Sequence, residues 1–300
     1  MPVRLQTIVA LSDFSVQAEQ CLDRAALLAS AHRAELRILY GAEVPCPKFS
    51  DPFARLEQRG RQIARRHGIT TVAIGGTDDL LTDVLTQTLD ADLLVLDRRS
   101  HRPWHQFWRG SLVEQVVQQA RCPVLVVQQP AAGAYRQLLV AVDFSENSRS
   151  LVRYASGFEI GAAMEIFHAL ASGGQASVGC ADAQFSMVRA YQRIASKNGQ
   201  GRRVRFSDSL DARRNRVGVL TGRIAPIGQI TVQKEISKAD LVVVGKSRPN
   251  PVVDWLLGSL ARGLVAGLNC DVLVVPHDYP ADRVADPSAT HQSRERGALA

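Results

Sequence analysis

The chain has 300 residues, 46% hydrophobic and 22% charged, the composition of an ordinary globular protein with room for two domains. No apolar run approaches the ~20 residues of a membrane-spanning helix, and the first six residues have no signal-peptide architecture, so a cytoplasmic protein without membrane contact is expected. The net charge of +7 invites a nucleic-acid reading, but the basic runs at 59–66 and 202–216 carry no aromatic interleaving or binding motif, so no nucleic acid is expected as a partner.

The first strand is read at 7–11, ending in Ser12-Asp13-Phe14-Ser15. A helix over 17–32 follows, then a strand at 35–40 and a Pro-marked loop at 45–47. A second helix at 51–67 turns Leu56, Ile63 and Ile69 inward and leaves its arginines as a solvated face. The third strand is 70–74, and a helix near 78–90 leads into the stretch that organises the chain. That stretch runs from Asp92-Leu93-Leu94-Val95-Leu96 to Cys122-Pro123-Val124-Leu125-Val126-Val127. It recurs as Asp240-Leu241-Val242-Val243-Val244 to Cys270-Asp271-Val272-Leu273-Val274-Val275, at a constant offset of 148 residues. One repeat of about half the chain means two like domains.

Each copy is a buried strand, a polar loop, a helix opened by Gly-Ser, and a second buried strand. The helices place Leu112, Val113, Val116 and Val117, or Leu260, Leu264, Val265 and Leu268, at helical spacing. Gln128 to Ala134 is the linker. The second half repeats the plan: a strand at 138–142 ending in Asp143-Phe144-Ser145, a helix at 147–161, a strand at 164–170 and a helix at 182–197. Its third strand is expected at 216–220, beyond an extra Arg-rich stretch, and a helix at 226–238 precedes the repeat. The domains are therefore 1–129 and 136–276, each βαβαβαβαβ, and 277–300 is expected to be a disordered tail. The five cysteines show no metal-ligand spacing, and Cys122 and Cys270 read as buried structural thiols.

Val142-Asp143-Phe144-Ser145, Val244-Gly245-Lys246-Ser247, Gly258-Ser259 and Cys270-Asp271-Val272-Leu273-Val274-Val275 resemble the universal stress proteins, here as two domains in tandem over about 5–128 and 136–276. The resemblance implies doubly wound, Rossmann-like α/β domains with five parallel strands in the order 3-2-1-4-5, and a role in stress response. Many members of that family bind ATP, with Mg²⁺, through a Gly-x-x-Gly-x(9)-Gly-(Ser/Thr) loop after the fourth strand. Glycines there admit phosphates to backbone N–H groups, and the last helix offers its positive end and a hydroxyl. In the second half, Gly245, Gly258 and Ser259 keep the first and last motif positions, Lys246 adds a charge, and Asp143 would bond the adenosine, while Arg248 at the middle glycine either blocks the phosphate path or supplies a cation to it. In the first half the same positions are Asp97, Ser100, Gly110 and Ser111, and a carboxylate at 97 opposes a phosphate by charge and by bulk. No nucleoside triphosphate is therefore expected in the first half, and the second half is left as the one candidate for a nucleotide site.

Other readings are weaker. A phospho-receiver would need an Asp ending the third strand and a Lys ending the fifth, and neither is present. Ser172-Gly173-Gly174 follows the wrong strand for a pyrophosphatase loop, and Pro103 sits between His101 and His105, which have no third metal ligand. The chain is read as a binding or signalling module. The alternatives are a weak ATPase or ATP-dependent switch, for which no general base is evident, and a scaffold with both sites lost. The resemblance also implies that 124–127 and 272–275 pair, either within the chain as a pseudo-dimer or between chains in a homo-oligomer.

Overall fold

The computed structural model describes residues 3–41, 51–77, 79–98, 112–142, 146–168, 189–190, 193–194, 204–208, 226–246, 263, 265, 267–277 and 279. The first half contains β1 (Thr7–Ser12), α1 (Val16–His32), β2 (Glu35–Tyr40), α2 (Pro52–His67), β3 (Thr71–Ile74), α3 (Leu80–Gln87), β4 (Leu93–Asp97), α4 (Leu112–Gln119) and β5 (Val124–Val127). The second contains β6 (Gln137–Val142), α5 (Glu146–Phe158), β7 (Ala163–His168), β8 (Val204–Asp208), α6 (Pro226–Ser237), β9 (Leu241–Lys246) and β10 (Asp271–Pro276).

The ten strands form one sheet in the order β3-β2-β1-β4-β5-β10-β9-β6-β7-β8. Each half is parallel in the expected order 3-2-1-4-5, and the halves join where β5 runs antiparallel to β10, Leu125 opposite Leu273. The pairing of 124–127 with 272–275 thus occurs within the chain. It converts two exposed sheet edges into one ladder. α1 lies on β1 and β4, α2 on β2 and β3, α5 on β6 and β9, and α6 on β6 and β7.

Local chemistry sets the element ends. Ser15 caps α1, its Oγ accepting from Ala18 N at 3.1 Å. Asp51 does the same for α2, followed by Pro52 at the first turn, and Gly68 closes that helix at φ 66. The Asp that opens each copy of the repeat also has a structural role. Asp92 Oδ2 accepts from Gln6 N and Thr7 N at 2.7 and 3.0 Å, and Asp240 accepts from Arg136 N and Gln137 N at 2.8 and 3.1 Å. Each carboxylate ties the start of the fourth strand to the start of the first.

Two expectations are corrected. The strand beside β7 is Val204–Asp208, within the Arg-rich stretch, and not 216–220, which lies outside the described residues. Val204-Arg205-Phe206-Ser207 alternates apolar with polar, as an edge strand does, whereas the sequence reading sought a more continuous apolar run. The expected helix over 182–197 is described only at 189–190 and 193–194, where it is helical. At the other end, Tyr279 was assigned to the tail. It is instead buried, its hydroxyl donating to Asp92 O at 3.2 Å and its ring set edge-on to Tyr154 at 5.6 Å. Residues 280–300 lie outside the described residues.

The junction is fastened by a buried polar cluster. Asp271, the first residue of β10, accepts from Gln128 N at 2.8 Å, from Gln129 N at 3.3 Å and from the Tyr135 hydroxyl at 2.6 Å. The Arg24 guanidinium pairs with the same carboxylate at 3.3 Å, lies 4.1 Å above the Tyr135 ring, and donates to Gly133 O. Arg24 and Asp271 side chains are 8% and 2% exposed. Burial pushes the Asp271 carboxyl above its ordinary value, and the Gln128 N–H, the Tyr135 hydroxyl and Arg24 partly offset this. Nearby, Val3 N donates to Gly157 O at 3.1 Å and His32 Nε2 lies 3.1 Å from Phe158 O.

Asp271→Ala is expected to destabilise the chain by about 3–5 kcal/mol in urea unfolding, because it strands a buried guanidinium. Combining Asp271→Leu with Arg24→Met should recover most of that loss. A second expectation concerns pH. Burial holds the His32 imidazole below its ordinary 6.5, so the folded chain favours the neutral ring. The unfolded state then binds more protons, and stability should fall as pH drops below about 6.5. His32→Gln should flatten that slope, as read from melting midpoints between neutral and mildly acid pH.

Candidate functional site

In a doubly wound sheet the crevice lies at the carboxyl ends of strands one and four, where the winding reverses. In the first half these ends are Ser12 and Asp97, and in the second Val142 and the end of β9. β1 and β4 are direct neighbours, as are β6 and β9, so each half has its own crevice.

In the first crevice Asp13 Oδ1 accepts from Ser15 N at 2.8 Å and so caps the turn. Phe14 follows with φ 63, a left-handed conformation that a bulky side chain rarely takes. Its ring lies 5.5 Å from Tyr40, and the Arg55 guanidinium stands 5.1 Å from it. Asp97 is 4% exposed at the end of β4. With Asp271 and Asp13 it adds to the effect of burial in pushing the Cys21 thiol well above its ordinary range, which leaves that thiol unreactive at neutral pH. This crevice is acidic and holds the chain's own aromatic and guanidinium groups. Ser100, Gly110 and Ser111 lie outside the described residues.

In the second crevice Gly245 and Lys246 end β9, and both are half-buried. A Cβ at Gly245 would meet Leu151 Cδ2 at 3.7 Å, an ordinary contact. Its backbone is also not among the left-handed ones, since the described glycines with positive φ are Gly68 and Gly133. Neither packing among the described residues nor conformation requires a glycine at 245. Asp143, Arg248, Gly258 and Ser259 lie outside the described residues.

Lys246 has a different placement from the one its sequence position suggests. Its Nζ donates to Ala120 O at 3.3 Å, at the end of α4 in the first half. The repeat-equivalent residue, Arg98, donates from Nη1 to Leu268 O at 3.4 Å in the second half. The pair forms a pseudo-twofold strap across the junction. Burial holds the Lys246 ammonium below its ordinary value.

Sequence reasoning missed Arg24, Tyr135, Asp271, Arg98, Gln128, Gln129 and Tyr279. One signal was available: Asp271 replaces Pro123 inside an otherwise matching Cys-x-Val-Leu-Val-Val. The expectation for Cys122 and Cys270 agrees with the structure. Both are buried, and burial raises Cys270 to about 12. Among the described residues no group of three His, Cys, Asp or Glu side chains is placed to hold a metal ion, and no helix is long and apolar enough to cross a membrane.

No curated protein is similar enough to match the chain. Among solved structures, a universal stress protein from Archaeoglobus fulgidus DSM 4304 superposes with TM-score 0.63 at 15% identity, over 92% of this chain and 97% of that one. A functionally unknown protein from Pseudomonas aeruginosa PAO1 gives 0.62 at 18% identity, over 95% and 98%. A universal stress protein from Archaeoglobus fulgidus in complex with dAMP matches 47% of this chain and 98% of that one, at 19% identity and TM-score 0.34. The universal stress protein family profile matches residues 4–128 and again 134–276, and the chain therefore belongs to that family, as two such domains in tandem.

Proposed function

We propose that this chain is a stress-response binding and signalling module that takes one adenine nucleotide, ATP with Mg²⁺, in its second half and none in its first. The observation that carries this reading is the contrast at two equivalent positions. Asp97 places a buried carboxylate at the carboxyl end of β4, whereas Gly245 stands at the end of β9, where neither packing among the described residues nor backbone conformation demands a glycine. A phosphate chain needs close approach to backbone N–H groups and no opposing charge.

The assigned roles follow from chemistry. Gly245 admits the phosphates. Gly258 and Ser259, at the last positions of the sequence motif, offer backbone amides and a hydroxyl. Arg248 supplies a cation to the phosphate chain, and Asp143 bonds the adenosine. Lys246 was a candidate phosphate partner, but its contact with Ala120 O gives it a place in the junction, so it is left out of the ligand set. No residue is assigned to hydrolysis. With β5 and β10 paired to each other, a second copy of the chain must dock through other surfaces if a homo-oligomer forms.

Calorimetric titration of Mg²⁺-ATP into the full chain tests the reading. Micromolar binding at one site is expected, and Gly245→Asp or Gly258→Glu should weaken it at least about 100-fold, or about 2.7 kcal/mol. Lys246→Met should keep the affinity and lower only the unfolding midpoint. Absence of heat up to millimolar ATP would remove the nucleotide reading and leave a protein that acts through its surfaces. Binding that survives Gly245→Asp but is lost on changing Asp13 would move the site to the first half.

A further inference from the structure

α2 carries five arginines and one glutamate, and the turn of the helix sorts the arginines into two rows. Leu56, Gly60 and Ile63 are buried and mark its inner side. At 3.6 residues per turn, Arg55, Arg59 and Arg66 fall on one flank. Arg61 and Arg65 fall opposite the buried side, in line with Ala54 and Gln58. All four of these outward residues are exposed.

The flank row is occupied within the fold. Arg59 Nη2 pairs with Glu19 Oε2 at 2.5 Å, and Arg66 Nη1 pairs with Asp23 Oδ1 at 3.8 Å. Glu19 and Asp23 stand four residues apart on α1, so α2 meets an acidic helix there through carboxylates one turn apart. Arg55 is engaged as well, its guanidinium 5.1 Å from the Phe14 ring. The outer row differs. Among the described residues neither Arg61 nor Arg65 takes part in a hydrogen bond or an ion pair, and Glu57, one turn before Arg61, does not pair with it. Two like charges one turn apart weaken a helix, so the row does not serve the fold.

We propose that Arg61 and Arg65 dock an acidic helix of another protein, one that presents carboxylates one turn apart as α1 does on the opposite flank. The docking needs no nucleotide in either half. Guanidinium groups take carboxylates through two parallel hydrogen bonds, and short, uncharged Ala54 and uncharged Gln58 let a second helix approach to the usual spacing of about 8–10 Å. A chain of net charge +7 also steers an acidic partner toward it. Nucleic acid is disfavoured because the outer row has no aromatic side chain for a base to stack on, and a bilayer because it has no large apolar side chain to insert. Phe53, the exposed ring of α2, is turned to the end of β3, where a Cβ at Gly75 would meet its Cδ2 at 3.7 Å.

The test uses the full chain and a fluorescein-labelled, alanine-based helical peptide of about 20 residues with glutamates one turn apart, read by fluorescence anisotropy. Saturable binding is expected, and it should weaken as salt rises. Arg61→Gln with Arg65→Gln should weaken it at least about tenfold and leave the unfolding midpoint unchanged. Arg4→Gln with Arg136→Gln removes the same charge from two other exposed positions and should change the affinity less than about twofold. Arg59→Gln with Arg66→Gln should lower the unfolding midpoint and spare the peptide. Equal losses in the Arg61/Arg65 and Arg4/Arg136 variants would reduce the effect to net charge and overturn the proposal, as would no binding at all. Tighter binding of duplex DNA, or of phosphatidylserine vesicles, lost on changing Arg61 and Arg65 would overturn it in favour of those partners. Self-association of the chain lost in the same variant would assign the row to a second copy instead.

Discussion

The arrangement of the two halves depends on one buried carboxylate. β5 and β10 both read Val-Leu-Val-Val, and all eight side chains are buried. Such a pair is poorly specified in register, because a slip of two residues keeps every side chain on its face and exchanges one apolar residue for another. Asp271 removes the ambiguity. It accepts from the amides of Gln128 and Gln129 just after β5 ends, so a slipped strand would leave a buried charge without partners. A buried ion pair such as Arg24–Asp271 is of little net benefit against an apolar pair of the same shape. Its effect is to select one arrangement among several of similar apolar burial.

The same cluster sets the path of the connection between halves. Arg24 holds Gly133 O and Tyr135 from α1, so the linker is pressed onto the first domain before the second begins. At the opposite end of the pseudo-twofold, Tyr279 after β10 packs against Tyr154 of α5 and bonds Asp92 O. The two exits from the central strands are therefore fastened in equivalent places by different chemistry, a charge cluster in one case and aromatic packing with one hydroxyl in the other. The backbone frame is symmetric and the side-chain fastenings are not.

The frame was legible in the sequence because parallel strands buried on both faces are written as unbroken apolar runs. β1, β4, β5, β6, β9 and β10 fall within a residue or two of where such runs place them. β8 was misplaced because an edge strand alternates, and Val204-Arg205-Phe206-Ser207 sits among arginines that read as an insertion. The first crevice was legible at Asp97, whose departure from glycine needs only local chemistry to interpret. The fastenings were illegible for a different reason. Arg98, Gln128, Gln129 and Tyr279 look like loop residues, and their partners lie more than 100 residues away. Only the repeat itself offered a clue, in the exchange of Pro123 for Asp271.

Lys246 shows how a motif position can also serve the junction between the halves. A lysine directly after a phosphate-admitting glycine invites a phosphate role, but successive strand residues project to opposite faces of the sheet. The face available to the residue after Gly245 is the one that meets the end of α4, and a helix C-terminus with unpaired carbonyls attracts an ammonium without any ligand. Arg98 obeys the same rule in the other half, where the preceding residue is an aspartate and no phosphate site is expected. Because the contact is made both by the half with the glycine and by the half without it, the charge at this position reports the joining of the domains. The residue that distinguishes the halves chemically is the one before it.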